Sequence, residues 1–237
     1  MKQSFHMNKL LITLLGIAGS LLLQAQKISF EGKQFEVKNV TASVTELEGS
    51  KVLKVERDLK ALPFDTARLG QTVDEPTYAR LLNLDFENGT IEVKVFSRLQ
   101  DPSPFRSAQG FIGVAFRISE KDSAYESFYL RPKVGRSDNQ YYRNHTVQYY
   151  AYPGYKFDKL RKEAEGMYET AAPVDINEWI TMRIEVQGEK AALFINDARY
   201  ATMVVDKMKG NSTHGFIALW VDIGTIGYFK DLSITKK

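Results

Sequence analysis

Eight of the twelve tyrosines lie between Tyr125 and Tyr155, a stretch that also carries Arg131, Arg143, His145 and Gln148. Tyrosine, arginine and amide side chains together suit a sugar. A pyranose lays its C–H face on a flat ring and offers its hydroxyls to charged donors and acceptors. Arg117, Tyr129, Arg131, Tyr141, Arg143, His145, Gln148 and Tyr149 are therefore the expected ligand-binding residues, with carbohydrate as the partner. The competing reading is structural, because cross-strand aromatic pairs stabilise sheets without any ligand.

Catalytic groups are harder to find. Beyond the N-terminal segment the histidines are His145 and His214, and neither has a partner at metal-ligand spacing. No Gly-x-Ser-x-Gly elbow occurs. Asp85 and Glu87 stand two residues apart on an extended segment, which would hold two carboxyls within the roughly 5–9 Å that glycoside hydrolysis uses. They flank a turn, however, where paired acids mark a solvated face. Glu126 falls on the apolar side of its strand and is expected to meet an arginine at the sandwich edge, and Trp220 and Asp222 close a strand that reads as buried. No catalytic residue is assigned and no cofactor is expected; calcium at a sandwich edge stays open.

The elements that must position these residues are strands. Asn88-Gly89 supplies the two positive-φ residues of a tight hairpin turn. Folding Arg80 to Ser97 about it sets Phe86 against Ile91, Leu84 against Val93 and Leu82 against Val95. Gly188-Glu189 similarly places Met182, Ile184 and Val186 beside Ile195, Leu193 and Ala191, and Asn196-Asp197 turns the chain into a third strand over Arg199 to Val205. Further strands are predicted over 110–118, 125–131, 147–152, 215–221 and 225–235, with one short helix over 158–166. Phe86, Ile91, Val93, Val114, Phe116, Phe128, Leu130, Ile184, Leu193 and Leu219 should fill the core. Ten or more strands with turns between them predict an all-β, two-sheet antiparallel sandwich. By strand parity, Arg117, Tyr129 and Arg131 should share the face opposite that core, with Tyr129 and Arg131 about 7 Å apart.

Residues 1–25 read as a secretory signal: Lys2 and Lys9, an apolar run from Leu10 to Leu23, and small residues before Gln26. That run is too short to span a bilayer, and no later one is longer. Residues 26–237 then form a single domain, exported to a periplasmic or extracellular, bacterial setting. Without the signal, 30 basic residues face 29 acidic ones, which removes the charge argument for nucleic acid. The absence of cysteine excludes disulfides, thiolate zinc sites, a thiol nucleophile and a lipid-anchored N-terminus. Oligomeric state stays open.

Several segments carry a resemblance: Asn88-Gly89-Thr90-Ile91-Glu92, Gly110 to Arg117, Tyr125 to Pro132, Glu178-Trp179, Leu193 to Asn196 and Tyr228 to Leu232. The chain resembles the concanavalin A-like lectin/glucanase superfamily, in particular exported bacterial laminin-G-like domains and, more distantly, the 3-keto-disaccharide hydrolases. The resemblance implies a jelly-roll sandwich whose concave sheet holds carbohydrate, in lectin-type binders and glycoside hydrolases alike. Laminarinase-type members carry Glu-x-Asp-x-x-Glu on one strand. Here Glu92-Val93-Lys94-Val95-Phe96-Ser97 puts lysine and serine at the second and third positions, and Phe128-Tyr129-Leu130-Arg131 stands where the keto-disaccharide family has glutamine and aspartate. The sequence therefore favours an exported carbohydrate-binding module without catalysis. The alternatives are a glycoside hydrolase-like enzyme with a non-standard carboxylate pair, or a structural subunit of the bacterial envelope. On the binding reading, truncating Arg131 should weaken binding by ~1–3 kcal/mol and leave the fold intact.

Overall fold

The computed structural model describes residues 26–237, so the export signal expected over residues 1–25 lies outside the described residues. Strands run in chain order as β1 (Lys27–Phe30), β2 (Lys33–Lys38), β3 (Val40–Leu47), β4 (Ser50–Arg57), β5 (Tyr78–Leu81), β6 (Gly89–Leu99), β7 (Ile112–Ile118) and β8 (Tyr125–Leu130). They continue as β9 (Val147–Tyr152), β10 (Glu169–Thr170), β11 (Ile180–Gln187), β12 (Lys190–Ile195), β13 (Met203–Val205), β14 (Phe216–Val221) and β15 (Thr225–Lys236). Short helices α1 (Leu69–Thr72), α2 (Gln140–Arg143) and α3 (Phe157–Glu163) sit in the connections. An eight-stranded sheet, β1-β2-β5-β14-β7-β8-β9-β10, packs on a seven-stranded one, β13-β12-β11-β6-β15-β4-β3. The fold is the antiparallel β-sandwich that the alternating apolar pattern requires.

All ten residues expected in the core are at most 1% exposed. Burying each such side chain is worth about 1.5–3 kcal/mol, which makes the two facing sheets mutually obligatory. The β11–β12 hairpin has the expected register, Met182 opposite Ile195, Ile184 opposite Leu193 and Val186 opposite Ala191. The third strand of that meander is shorter than expected, Met203–Val205.

The hairpin about Asn88-Gly89 does not form. β5 belongs to the eight-stranded sheet, where it pairs with β2 and β14, while β6 lies in the other sheet between β11 and β15. The connection crosses from one sheet to the other, and Phe86 makes an isolated bridge to Gly215 instead of facing Ile91 across a hairpin. Asn88 closes the sandwich edge: its Oδ1 accepts from Gly188 N at 2.7 Å.

Parity also breaks at Arg117. Ile118 pairs with Phe216 and Ala115 with Ala218, so two residues of β7 oppose one of β14, and Arg117 takes a left-handed φ of 52° at this bulge. The guanidinium turns to the sandwich edge. It donates to the carbonyls of Glu87 (2.7 Å) and Gly188 (2.8 Å), tying the crossover to the β11–β12 turn.

On the outer face of the eight-stranded sheet, Tyr78, Tyr125, Tyr129, Tyr150 and Trp220 form one buried aromatic cluster. Gly113 makes it possible, since a Cβ there would stand 2.6 Å from the Tyr129 Cα. This face is not open to solvent. The segment 69–77 crosses it, held by Trp220 Nε1 donating to Glu75 O (2.9 Å) and Tyr125 Oη donating to Asp74 O (3.3 Å). The start of α3 locks onto the same strap: Phe157 N donates to Asp74 Oδ2 (2.9 Å), and Lys156 Nζ donates to Gly70 O (3.1 Å) and pairs with Glu75.

Candidate active site

Beside the strap, at the end of the sheet where β8 runs out, a cleft of about 250 Å³ remains. Asp74, Tyr129, Arg131 and Asp222 form its buried floor, while Phe105, Tyr141, Tyr142, His145, Phe157 and Arg161 stand around it.

Arg131 organises the floor. One terminal nitrogen donates to His145 O (2.7 Å) and Glu169 Oε1 (3.1 Å); the other donates to Tyr129 Oη (2.6 Å) and Gln148 Oε1 (3.2 Å). Glu169 also accepts from Arg161 Nε at 2.9 Å, and His145 Nδ1 lies 3.0 Å from its Oε2. Burial alone would raise the Glu169 carboxyl; the Arg161 and Arg131 guanidinium groups outweigh it and hold it below the usual carboxylate range. Two guanidinium groups, those of Arg131 and Arg161, therefore flank this one carboxylate. The Phe157 ring lies 5.8 Å from Arg131 and 5.3 Å from Arg161, facing both cations with its π system.

Two further carboxyls reach the floor in different states. Asp222 uses both oxygens: Oδ1 accepts from Arg57 Nη1 (2.6 Å) and Ile223 N (2.7 Å), and Oδ2 accepts from Asp74 N (2.9 Å). It is a buried anchor, raised by desolvation and pulled back by Arg57. Asp74 has Oδ2 on Phe157 N, and among the described residues its Oδ1 has no protein donor. Desolvation lifts its pKa from 3.8 to about 7, against the pull of the Phe157 N–H. Its backbone is left-handed, φ 54°, fixed by the Asp222 bond to its N–H. His145 is half-buried; desolvation lowers its pKa and the Glu169 carboxylate opposes the shift.

The eight residues singled out from sequence divide. Tyr129, Arg131, Tyr141 and His145 line the cleft, and Gln148 supports it from behind through Arg131. Arg117 is at the sandwich edge, so the expectation that it shares a face with Arg131 fails because the bulge shifts its side chain out of register. Tyr149 points to the inner face, donating to Glu126 and accepting from Lys209 N at 2.6 Å. Arg143 closes the turn of α2, where its carbonyl accepts from Thr146 Oγ1 (2.7 Å), and it does not line the cleft. Nor is Arg131 a free surface donor. Buried with four hydrogen bonds, it is part of the fold, and truncating it would leave Gln148 and His145 O without their donor. Glu126 meets Tyr149 by hydrogen bond and Arg117 only through its charge. Asp85 pairs with His214 on the surface, away from the cleft. Among the described residues no group of three or more His, Cys, Asp or Glu side chains could hold a metal ion.

Asp74, Phe157, Arg161 and Glu169 were not legible as site residues. Asp74 comes from a connection and Glu169 from the two-residue strand β10, and only the helix expected over 158–166 placed Arg161 on an element at all.

Among solved structures, the carbohydrate-binding module CBM66 from Bacillus subtilis aligns over 83% of this chain and 94% of its own, at 10% identity and a TM-score of 0.50. A β-glucanase from Bacillus licheniformis aligns over 90% and 92%, at 11% identity and a TM-score of 0.46. The first of these shares the concanavalin A-like fold with this chain. No curated protein sequence matches. The cleft-lining residues other than Leu69 fall inside the segment 72–235, which matches the model of the 3-keto-alpha-glucoside-1,2-lyase-like domain, and the chain belongs to that family.

Proposed function

We propose that the cleft binds the keto-sugar of a 3-keto-glucoside and catalyses elimination across C1 and C2. The observation that carries the reading is Asp74, a buried carboxyl that lines the cleft, has one oxygen without a protein donor among the described residues, is pushed up by desolvation to about 7, and stands in a cleft also lined by Arg131 and Arg161. A ketone at C3 acidifies the hydrogen on C2. Asp74 takes that proton, the electron pair forms the C1=C2 bond, the C1–O bond breaks, the leaving oxygen takes a proton from water, and the hydroxide so formed takes the proton from Asp74. A group titrating near neutrality serves either proton transfer, and the guanidinium field of Arg131 and Arg161 favours the transient anion.

The test is turnover of 4-nitrophenyl 3-keto-glucoside in deuterated buffer. Release of nitrophenol, with exchange of the C2 hydrogen in recovered substrate, is expected. Saturable binding with neither release nor exchange would overturn the catalytic reading and return the protein to the non-catalytic carbohydrate-binding module that the sequence favours.

We also propose export. The support is the charged, then apolar, then small-residue order of residues 1–25. N-terminal sequencing of the protein from its host should begin at Gln26 or Lys27, and an intact Met1 would overturn the proposal.

A further inference from the structure

Tyr129 has a hydroxyl with a role left to fill. Its ring is 2% exposed, packed 5.0 Å from Trp220, 5.7 Å from Tyr150 and 6.3 Å from Phe111. No sugar can stack on it, which leaves only the hydroxyl to meet a ligand. That oxygen accepts from Arg131 Nη2 at 2.6 Å. The phenol must keep its own hydrogen for another acceptor, and among the described residues the protein provides none. Burial raises the phenol well above its ordinary pKa, so at neutral pH it is a hydrogen-bond donor.

The other hydroxyls near the floor are differently placed. Those of Tyr125 and Tyr150 lie 3.1 Å apart and bond each other, and neither residue lines the cleft. Tyr141 and Tyr142 line it but are 59% and 47% exposed on a single helical turn. Tyr129 is held by strand β8, by its ring neighbours and by a charged donor that withdraws electron density from its oxygen. Those are the properties of a preorganised donor to an oxygen on which charge develops.

Resting on the reading of the cleft given above, we propose that Tyr129 donates the hydrogen bond that stabilises the C3 oxygen as it becomes an enolate. The proton stays on Tyr129. The C2 proton goes to Asp74, and Arg131 fixes the phenol without touching the sugar, which makes Arg131 a positioning residue.

The experiment compares Tyr129→Phe with the wild type on a series of aryl 3-keto-glucosides whose leaving phenols differ in acidity. The variant should lose ~100-fold in kcat with KM within threefold. Its C2 hydrogen exchange should slow by a similar factor, and the loss should be the same for every leaving group. A kcat within threefold of wild type would overturn the proposal, as would a loss that grows with the basicity of the leaving group, which would mark Tyr129 as the acid that protonates the departing oxygen. If Tyr129→Phe does not fold, 3-fluorotyrosine at position 129 replaces it. This stronger donor of nearly the same shape should raise kcat, and an unchanged or lower value overturns the assignment. A wild type inert on every member of the series would instead defeat the elimination reading itself.

Discussion

Asp74→Asn is expected to lower kcat for elimination by ~10²–10⁴-fold while making the protein more stable at pH 8. The amide keeps the shape, and its oxygen can still accept from Phe157 N, so the strap stays in place. What it loses is the capacity to take a proton. In the wild type, Asp74 acts as base only when ionised, so kcat/KM should rise with pH through about 7 and level off above it. The stability effect has the opposite sense. The folded-state pKa is raised above the ordinary value of 3.8, so the folded protein holds a proton that the unfolded chain has released. That contribution is fully present below about 3.8 and is lost as pH rises through about 7. Asparagine carries no such dependence. Urea denaturation and pH–rate profiles of both proteins test the two halves separately, and activity within tenfold of wild type would remove Asp74 from the mechanism.

A second large effect is expected far from the cleft. Glu126 is 1% exposed between the sheets, one oxygen accepting from Tyr149 Oη and the other crowded by Gly210, whose added Cβ would stand 2.2 Å from it. Desolvation lifts its pKa from 4.5 to about 7, against the Tyr149 hydrogen bond. As with Asp74, the stabilising contribution is complete below about 4.5 and is lost as pH climbs through about 7. A shift of this size corresponds to about 3 kcal/mol. Glu126→Gln, neutral at every pH, should therefore raise the urea midpoint at pH 8 and change it little at pH 4, with no effect on turnover. Equal midpoints of variant and wild type at pH 8 would show that the carboxylate is solvated in the native protein.

The strands were legible where a turn and an alternation serve the same pair. Gly188-Glu189 does this for β11 and β12, and every predicted cross-strand pair is present. Asn88-Gly89 offers the same local signal, yet Asn88 holds the β11–β12 turn with its side chain and Phe86 joins Gly215. A dipeptide's liking for a tight turn is local, whereas the choice of sheet depends on what β14 and β15 offer later in the chain. Arg117 shows the same limit more sharply, because one extra residue in β7 reverses parity and no hydrophobic pattern announces it. The crowding of Tyr129, Arg131, Tyr141 and His145 was visible because they are close in sequence. Asp74 reaches the same spot from a connection that carries no period, and Glu169 from β10, a strand of two residues too short to show an alternation.

The strap of residues 69–77, pinned to α3 through Asp74, Glu75 and Lys156, decides which molecules can reach the floor at all. It covers the sheet face along which a long glycan would otherwise lie, leaving room of about 250 Å³ beside it. That volume sits below the ~300–1,000 Å³ usual for drug-sized ligands and matches a single sugar ring. On the proposed reading, an internal unit of a polymer, with chain leaving in both directions, would have to displace the strap to reach the floor. If the proposed elimination holds, action is expected on chain termini and small glycosides, so that a longer chain would be shortened one end-unit at a time.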